Sequence, residues 1–398
     1  MKIAVIPATA FGLLILLLPL NPAAAQVAEI DPARAEVIWM YTKEDSEATF
    51  WKLSWSPDGS MIAATFFDDK CVVLNATDGG IRTVLDLVPE DTRCDGFSPE
   101  GTNPLRACCF SPDGKLLAVG GDDRIITVFD TATWEEKYML RGHSGSILCL
   151  DFSPDSRYLA SGSGRDKVIP QNQEENAVRI WDMQTGRLYH TLNWHRDGVL
   201  AVRWSNEGDR LASASDDRMI RIMEFSTRTE VMNATGHTTG VLDIDWSPDD
   251  SRLITGSRDY KIKVWNSSTG EILATWSDNN CVRSVDFHPF QEIAATSGVD
   301  LTLKIRDSVT GTELKVIKDG MEQHAMVMMS RWSPDGRFLA SGLGKSHTVI
   351  LYGFGGEAGE GDGLPIGTIT AVSLIIIGAA ALVAFFYPAY REIRRSRG

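Results

Sequence analysis

An all-β fold, a seven-bladed β-propeller closed by an N-terminal strand and followed by one C-terminal transmembrane α-helix, is the architecture that this 398-residue sequence predicts. Three observations predict it. A segment of the form aromatic-Ser-Pro-Asp-Gly recurs seven times, as WSPDG (55–59), FSPDG (110–114), FSPDS (152–156), WSNEG (204–208), WSPDD (246–250), FHPFQ (287–291) and WSPDG (332–336). The position of its proline, replaced once by Asn206, recurs at spacings of 55, 42, 52, 42, 41 and 45 residues, a unit of about 42 with two insertions. Within each unit apolar residues alternate as on short strands: Leu148, Leu150 and Phe152 on one face, then YLASGS (158–163), VRIWD (178–182) and Leu188 to Leu192. Four short strands cannot bury both faces of their own sheet, but copies arranged radially cover one another and leave only short edges.

The elements follow in order. Residues 1–25 carry Lys2, an apolar stretch from Ala8 to Leu18 and Ala23-Ala24-Ala25 before Gln26, the layout of a cleaved secretory signal. An uncleaved anchor is the rival reading. Residues 26–353 hold the propeller. Its seventh unit ends at a third strand, Thr348 to Tyr352, so EVIWMYT (36–42), β-branched and aromatic, is expected to supply the missing fourth. Residues 354–364 form a Gly-rich acidic linker, and 365–388 a membrane span. Ile366 to Tyr387 is uncharged, and its 22 residues reach about 33 Å as a helix. A fully buried helix is the alternative there. Arg391, Arg394, Arg395 and Arg397 then make 389–398 a basic tail on the cytoplasmic side, which leaves the propeller outside the cytoplasm.

Composition excludes several classes. Hydrophobic residues at 43% and charged residues at 23% suit a filled core rather than disorder. A formal net charge of -14, or -18 once Lys2 and a tail of four Arg against one Glu are set aside, argues against nucleic acid as a partner. No phosphate-binding Gly loop, nucleophile elbow or zinc spacing is present, and no cofactor is expected.

Residues 142–182 (GHSGSILCLDFSPDSRYLASGS…VRIWD) and 236–266 (GHTTGVLDIDWSPDDSRLITGSRDYKIKVWN) resemble blades of WD-repeat propellers, and the resemblance extends over about 35–353. It implies a structural hydrogen-bonded tetrad in each blade, matched by His143, Ser161, Asp166 and Trp181, and again by His237, Thr255, Asp259 and Trp265. A His-Asp pair imitates part of a catalytic triad, but its recurrence blade after blade makes it scaffold. Elsewhere the match thins. His195, Ser213 and Asp217 meet Met223 where Trp is expected, Asp123 is followed by Phe129, Asp300 by Arg306, and His324 and Ser341 by Lys345. These departures are expected to weaken single blades.

Binding in such propellers uses the face built from loops joining blades and loops between second and third strands. Both insertions, 88–105 and 165–176, fall in those loop types and read either as a partner surface or as neutral additions. Six Cys in an exported domain offer one disulfide, Cys94 with Cys108, against the alternative of thiols packed as small hydrophobes. Met321, His324, Met326, Met328 and Met329 hold soft donors, but Met328 and Met329 fall on an inner strand. Asn75, Asn233 and Asn266 open glycosylation sequons. The function expected is a non-catalytic, membrane-anchored scaffold binding other proteins of the cell envelope. The alternatives are a propeller enzyme or small-ligand receptor with a central-channel site, and a cytosolic exchange factor if the topology is reversed.

Overall fold

The structure, a computed structural model, describes residues 30–43, 49–87, 104–164, 176–318 and 326–355. The segments expected as signal, membrane span and tail, and both insertions over all but their edges, lie outside these residues. Among the described residues no helix is long and apolar enough to cross a membrane.

Seven four-stranded antiparallel sheets follow one another along the chain. Six are built from consecutive strands, beginning at Phe50, Leu105, Ser146, Val199, Val241 and Val282. The seventh joins Val327–Trp332, Phe338–Leu343 and Thr348–Phe354 to the N-terminal strand Ala35–Thr42, which pairs with Thr348–Phe354 from Ala35 opposite Phe354 to Thr42 opposite Thr348. Each inner strand packs on the inner strands before and after it, and the seventh packs on the first, so the blades form a ring.

The repeated segment explains the first hairpin of each blade. In WSPDG the Ser56 hydroxyl donates to Asp58 at 2.5 Å and accepts the Met61 N–H at 2.9 Å, which locks the turn from both sides. Ser111, Ser153, Ser247 and Ser333 make the same pair of bonds in their blades. The fifth position needs a left-handed residue: Gly59 sits at φ 69°, while Ser156 and Asp250 take φ 59° and 57° where glycine is absent. In FHPFQ the His288 ring replaces serine, its Nδ1 accepting the N–H groups of Phe290 and Gln291 at 3.1 and 3.0 Å.

Second strands are buried on both faces, as in Met61–Phe66 and Leu116–Gly121, and third strands over much of their length, as in Lys70–Asn75, because neighbouring blades cover them. Fourth strands alternate toward solvent, as in Ile81–Asp86. The core is therefore a series of apolar layers between blades rather than one central mass.

Candidate functional site

The tetrads take the places that the repeat assigns them. In blade five the Trp265 indole N–H donates to Thr255 Oγ1 at 2.8 Å, His237 Nε2 lies 2.8 Å from that oxygen, and His237 Nδ1 lies 2.9 Å from Asp259. In blade three Ser161 Oγ meets His143 Nε2 at 2.7 Å and accepts the Trp181 N–H at 2.8 Å; Asp166 lies outside the described residues. In blade four His195 spans Ser213 and Asp217 at 2.8 and 3.0 Å while Met223 fills the tryptophan site as a fully buried apolar group. Burial pushes His237 below the usual imidazole range, against the pull of Asp259. Burial pushes Asp259 up, but N–H donation from Thr238 and the His237 bond outweigh it and hold the carboxyl low. The neutral His237 ring is thus fixed at both ends, and the Thr255 hydroxyl that it meets is fully buried and accepts the Trp265 N–H as well.

In blade six, where the tetrad is lost, charged side chains take its places. Asp278 occupies the histidine position, and Arg306 the tryptophan position, where its Nε–H donates to Thr296 Oγ1 at 3.2 Å. Arg306 also reaches Asp278 at 3.1 Å and Glu313 at 2.8 Å, and Lys304 ties Asp278 to Asp300. A buried ionic network replaces the neutral tetrad. In blade two Val119 and Phe129 join the apolar layer instead. His324 lies outside the described residues.

At the centre, the inner strands place one side chain per blade toward the axis. These are Ser54, Cys109, Asp151, Arg203, Asp245, Asp286 and Arg331, each immediately before the repeat's aromatic. With Lys52, Cys149 and Asp243 they line a chamber of about 430 Å³ at the end of the channel near the SPDG turns, bounded by Trp55, Trp204 and Trp332. Four Asp side chains, Asp151, Asp243, Asp245 and Asp286, thus face this chamber, outside the tetrads. Sequence reading missed them because each sits at one variable position of its own repeat.

Most of this ring has a structural task. The carboxylate of one blade accepts the backbone N–H of the aromatic residue on the next: Asp151 from Trp204 at 2.7 Å, Asp245 from Phe287 at 2.8 Å and Asp286 from Trp332 at 2.7 Å. Arg331 grips Asp243 through both carboxylate oxygens at 2.9 and 3.1 Å and donates to Val285 O at 3.0 Å. Arg203 stands 3.8 and 3.9 Å from Asp151 and Asp245. Burial would raise Asp243, but Arg331, Lys52 and Arg203 hold it down to about 2. Burial prevails at Asp245 and Asp286, raising them to about 6 and about 8, and it lowers Lys52 to about 8 against the attraction of Asp243. Among the described residues no group of three or more His, Cys, Asp or Glu is arranged to hold a metal ion.

The opposite rim carries the loops joining blades and those between second and third strands. Non-glycine residues with large side chains stand at the left-handed position of the latter: Arg124, Arg218, Tyr260 and Leu301, at φ 66°, 74°, 66° and 62°. Arg218 is exposed and Tyr260 is 47% exposed; Arg196, in the loop joining blades three and four, and Arg258, in the same loop as Tyr260, are exposed too. Arginine and tyrosine are side chains that anchor protein interfaces. A non-glycine residue following the turn Asp is the sequence signal that would have singled them out.

Of the expected disulfide, Cys94 lies outside the described residues and Cys108 is a free, buried thiol. Met328 and Met329 are core residues of the layer between blades seven and one.

The WD domain, G-beta repeat family model matches residues 95–130, 134–182, 186–223, 228–266, 270–307 and 316–352, more than half of the chain. Most matches begin near the outer strand of one blade and end on the third strand of the next, so a repeat in sequence bridges two blades in space. The chain is similar to Protein tipD of Dictyostelium discoideum, 28% identical over 237 residues, 58% of this chain and 37% of that protein. It is similar to WD repeat-containing protein 1 of Mus musculus, 30% identical over 149 residues, 36% of this chain and 23% of that protein. A third relative is Nuclear distribution protein PAC1 of Coccidioides posadasii, 32% identical over 119 residues, 27% of this chain and 25% of that protein. The chain spans about a third or less of the length of these curated relatives.

Proposed function

Because the chain belongs to the WD domain, G-beta repeat family, we propose that it is a non-catalytic platform for other proteins, held by one C-terminal helix in a membrane with its propeller outside the cytoplasm. One observation carries the platform. The His-Asp pairs that imitate catalytic groups are engaged in scaffold bonds, whereas Arg218 and Tyr260 are held out from a rigid ring. The apolar segments 8–18 and 366–387 and the basic tail support the topology, and envelope proteins are the partners it implies.

Two measurements test this reading. External protease on intact cells should release peptides from 26–360, with Gln26 as the first residue. Protection until the membrane is opened would make a cytosolic exchange factor the leading reading. A photo-crosslinker at Arg218 or Tyr260 should capture a protein partner, and the R218A/Y260A double variant should lose at least 100-fold in affinity for it, in line with about 3 kcal/mol for two anchors. Unchanged affinity would remove the rim from the interface.

The axial chamber favours a second reading, a small-ligand receptor. Lys52 faces it with no ion-pair partner within 4 Å among the described residues. A metabolite screen that raises the melting temperature of the wild type but not of K52M would support that reading, and absence of any such shift would end it.

A further inference from the structure

Cys71 and Cys108 belong to different blades and face one wall. Cys71, on the third strand of blade one, lies directly opposite Thr65 in the strand register. Opposite residues of an antiparallel ladder project to the same face, and Thr65 shares its face with Ala63 two positions earlier. Cys108 packs onto that face from the inner strand of blade two, its Sγ 3.7 Å from Ala63 O. Cys71 therefore projects into the face that Cys108 covers. Both cysteines lie in the apolar layer between the two blades, 0% and 7% exposed.

We propose that Cys71 and Cys108, free thiols in this structure, form the structural disulfide of the protein, joining blade one to blade two. The Cys108 partner is then Cys71 and not Cys94. Cys109 and Cys149 line the axial chamber, and Cys281 sits in the loop between blades five and six, so each lies apart from this pair.

The oxidant is a small disulfide such as oxidised glutathione. One cysteine thiolate attacks it and releases one reduced thiol; the second cysteine then attacks the mixed disulfide and releases the other. Two protons leave the cysteines, two electrons reduce the reagent, and one S–S bond forms as one breaks. Contact with Cys71 and burial hold the Cys108 thiol protonated, so exchange is slow once the blades have closed. The bond therefore forms while blades one and two are still open and is shielded afterwards. It closes a loop of 37 residues that contains the insertion at 88–105, which limits the unfolded chain. A structural disulfide persists only in an oxidising compartment, so the bond in the cell rests on the exported topology proposed above, whereas refolding in vitro reads the geometry alone.

The test is oxidative refolding of the full-length chain in detergent with a glutathione redox buffer, followed by alkylation and peptide mapping without reduction. The expected result is a Cys71–Cys108 linked peptide and four alkylated cysteines of the six. C94A should give the same link and C71A should abolish it. Refolding in a reducing buffer instead should give a wild type that melts several degrees lower than the oxidised protein and leave the melting temperature of C71A/C108A unchanged. Recovery of Cys71 as a free thiol in the refolded wild type, or a Cys94–Cys108 link, overturns the proposal.

Discussion

Asp286 shows how one buried side chain sets a pH response. Its pKa lies near 8 in the fold, pushed up first by burial and then by Asp245, against about 3.8 in the unfolded chain. The folded state therefore holds more protons between these values, and stability declines as pH rises through that window. D286N keeps an oxygen to accept the backbone N–H of Trp332 and removes the charge. Its melting temperature should fall less than the wild type's from pH 4 to pH 8, and should exceed it at pH 8; identical profiles would show that Asp286 is not the group responsible. Asp243 acts with the opposite sign. Arg331 and its neighbours overcome burial to hold it near 2, so its contribution is full above the ordinary carboxylate range and is lost as pH falls toward 2. In blade six, Arg306 is 3% exposed and neutralises buried Asp278. R306M keeps apolar bulk but leaves that carboxylate short of a partner, and it should cost about 3–5 kcal/mol in denaturant unfolding. A loss below about 1 kcal/mol would mean that Lys304 alone suffices.

The strand Ala35–Thr42 joins the two ends of the propeller, pairing with the last strand of blade seven. Trp39 is its anchor. The ring is 9% exposed, and its indole N–H crosses to blade one, donating to Ala76 O at 2.7 Å. W39A removes both the packing and the bond, and should destabilise the propeller by about 3–5 kcal/mol. Since the first and seventh blades meet along their inner strands, the loss should appear in a single cooperative transition. A separate early transition confined to blade seven would show that the strand supports only its own sheet. The hairpin turns are tuned at the same scale. Where SPDG becomes FSPDS or WSPDD, the left-handed residue contributes its side chain: Ser156 Oγ accepts Asp113 N–H, and Asp250 accepts Asn206 N–H, each at 2.9 Å. Loss of glycine there is exchanged for a bond between adjacent blades.

Across the whole molecule, the repeat was readable because each copy stands alone: a turn must have its Ser-Pro-Asp-Gly bonds, a strand its alternation, and a sheet exposed on both faces its neighbours. Blade number, strand order and the complete tetrad of His237, Thr255, Asp259 and Trp265 follow from such local rules. The axial ring does not. Asp151, Arg203, Asp245, Asp286 and Arg331 occupy the least constrained position of their repeats, tens of residues apart, and become one chamber only when seven strands converge on an axis. Cys71 and Cys108 meet for the same reason, across a blade boundary that spacing along the chain does not encode. Arg306, read as a missing tryptophan, proves to be a donor to the same hydroxyl because burial among carboxylates makes a guanidinium serve there. The sequence by itself determined what hydrogen bonding and periodicity impose within each repeat. Only the tertiary structure decided which charges share a cavity, since Coulomb energy and burial depend on distance through space rather than along the chain.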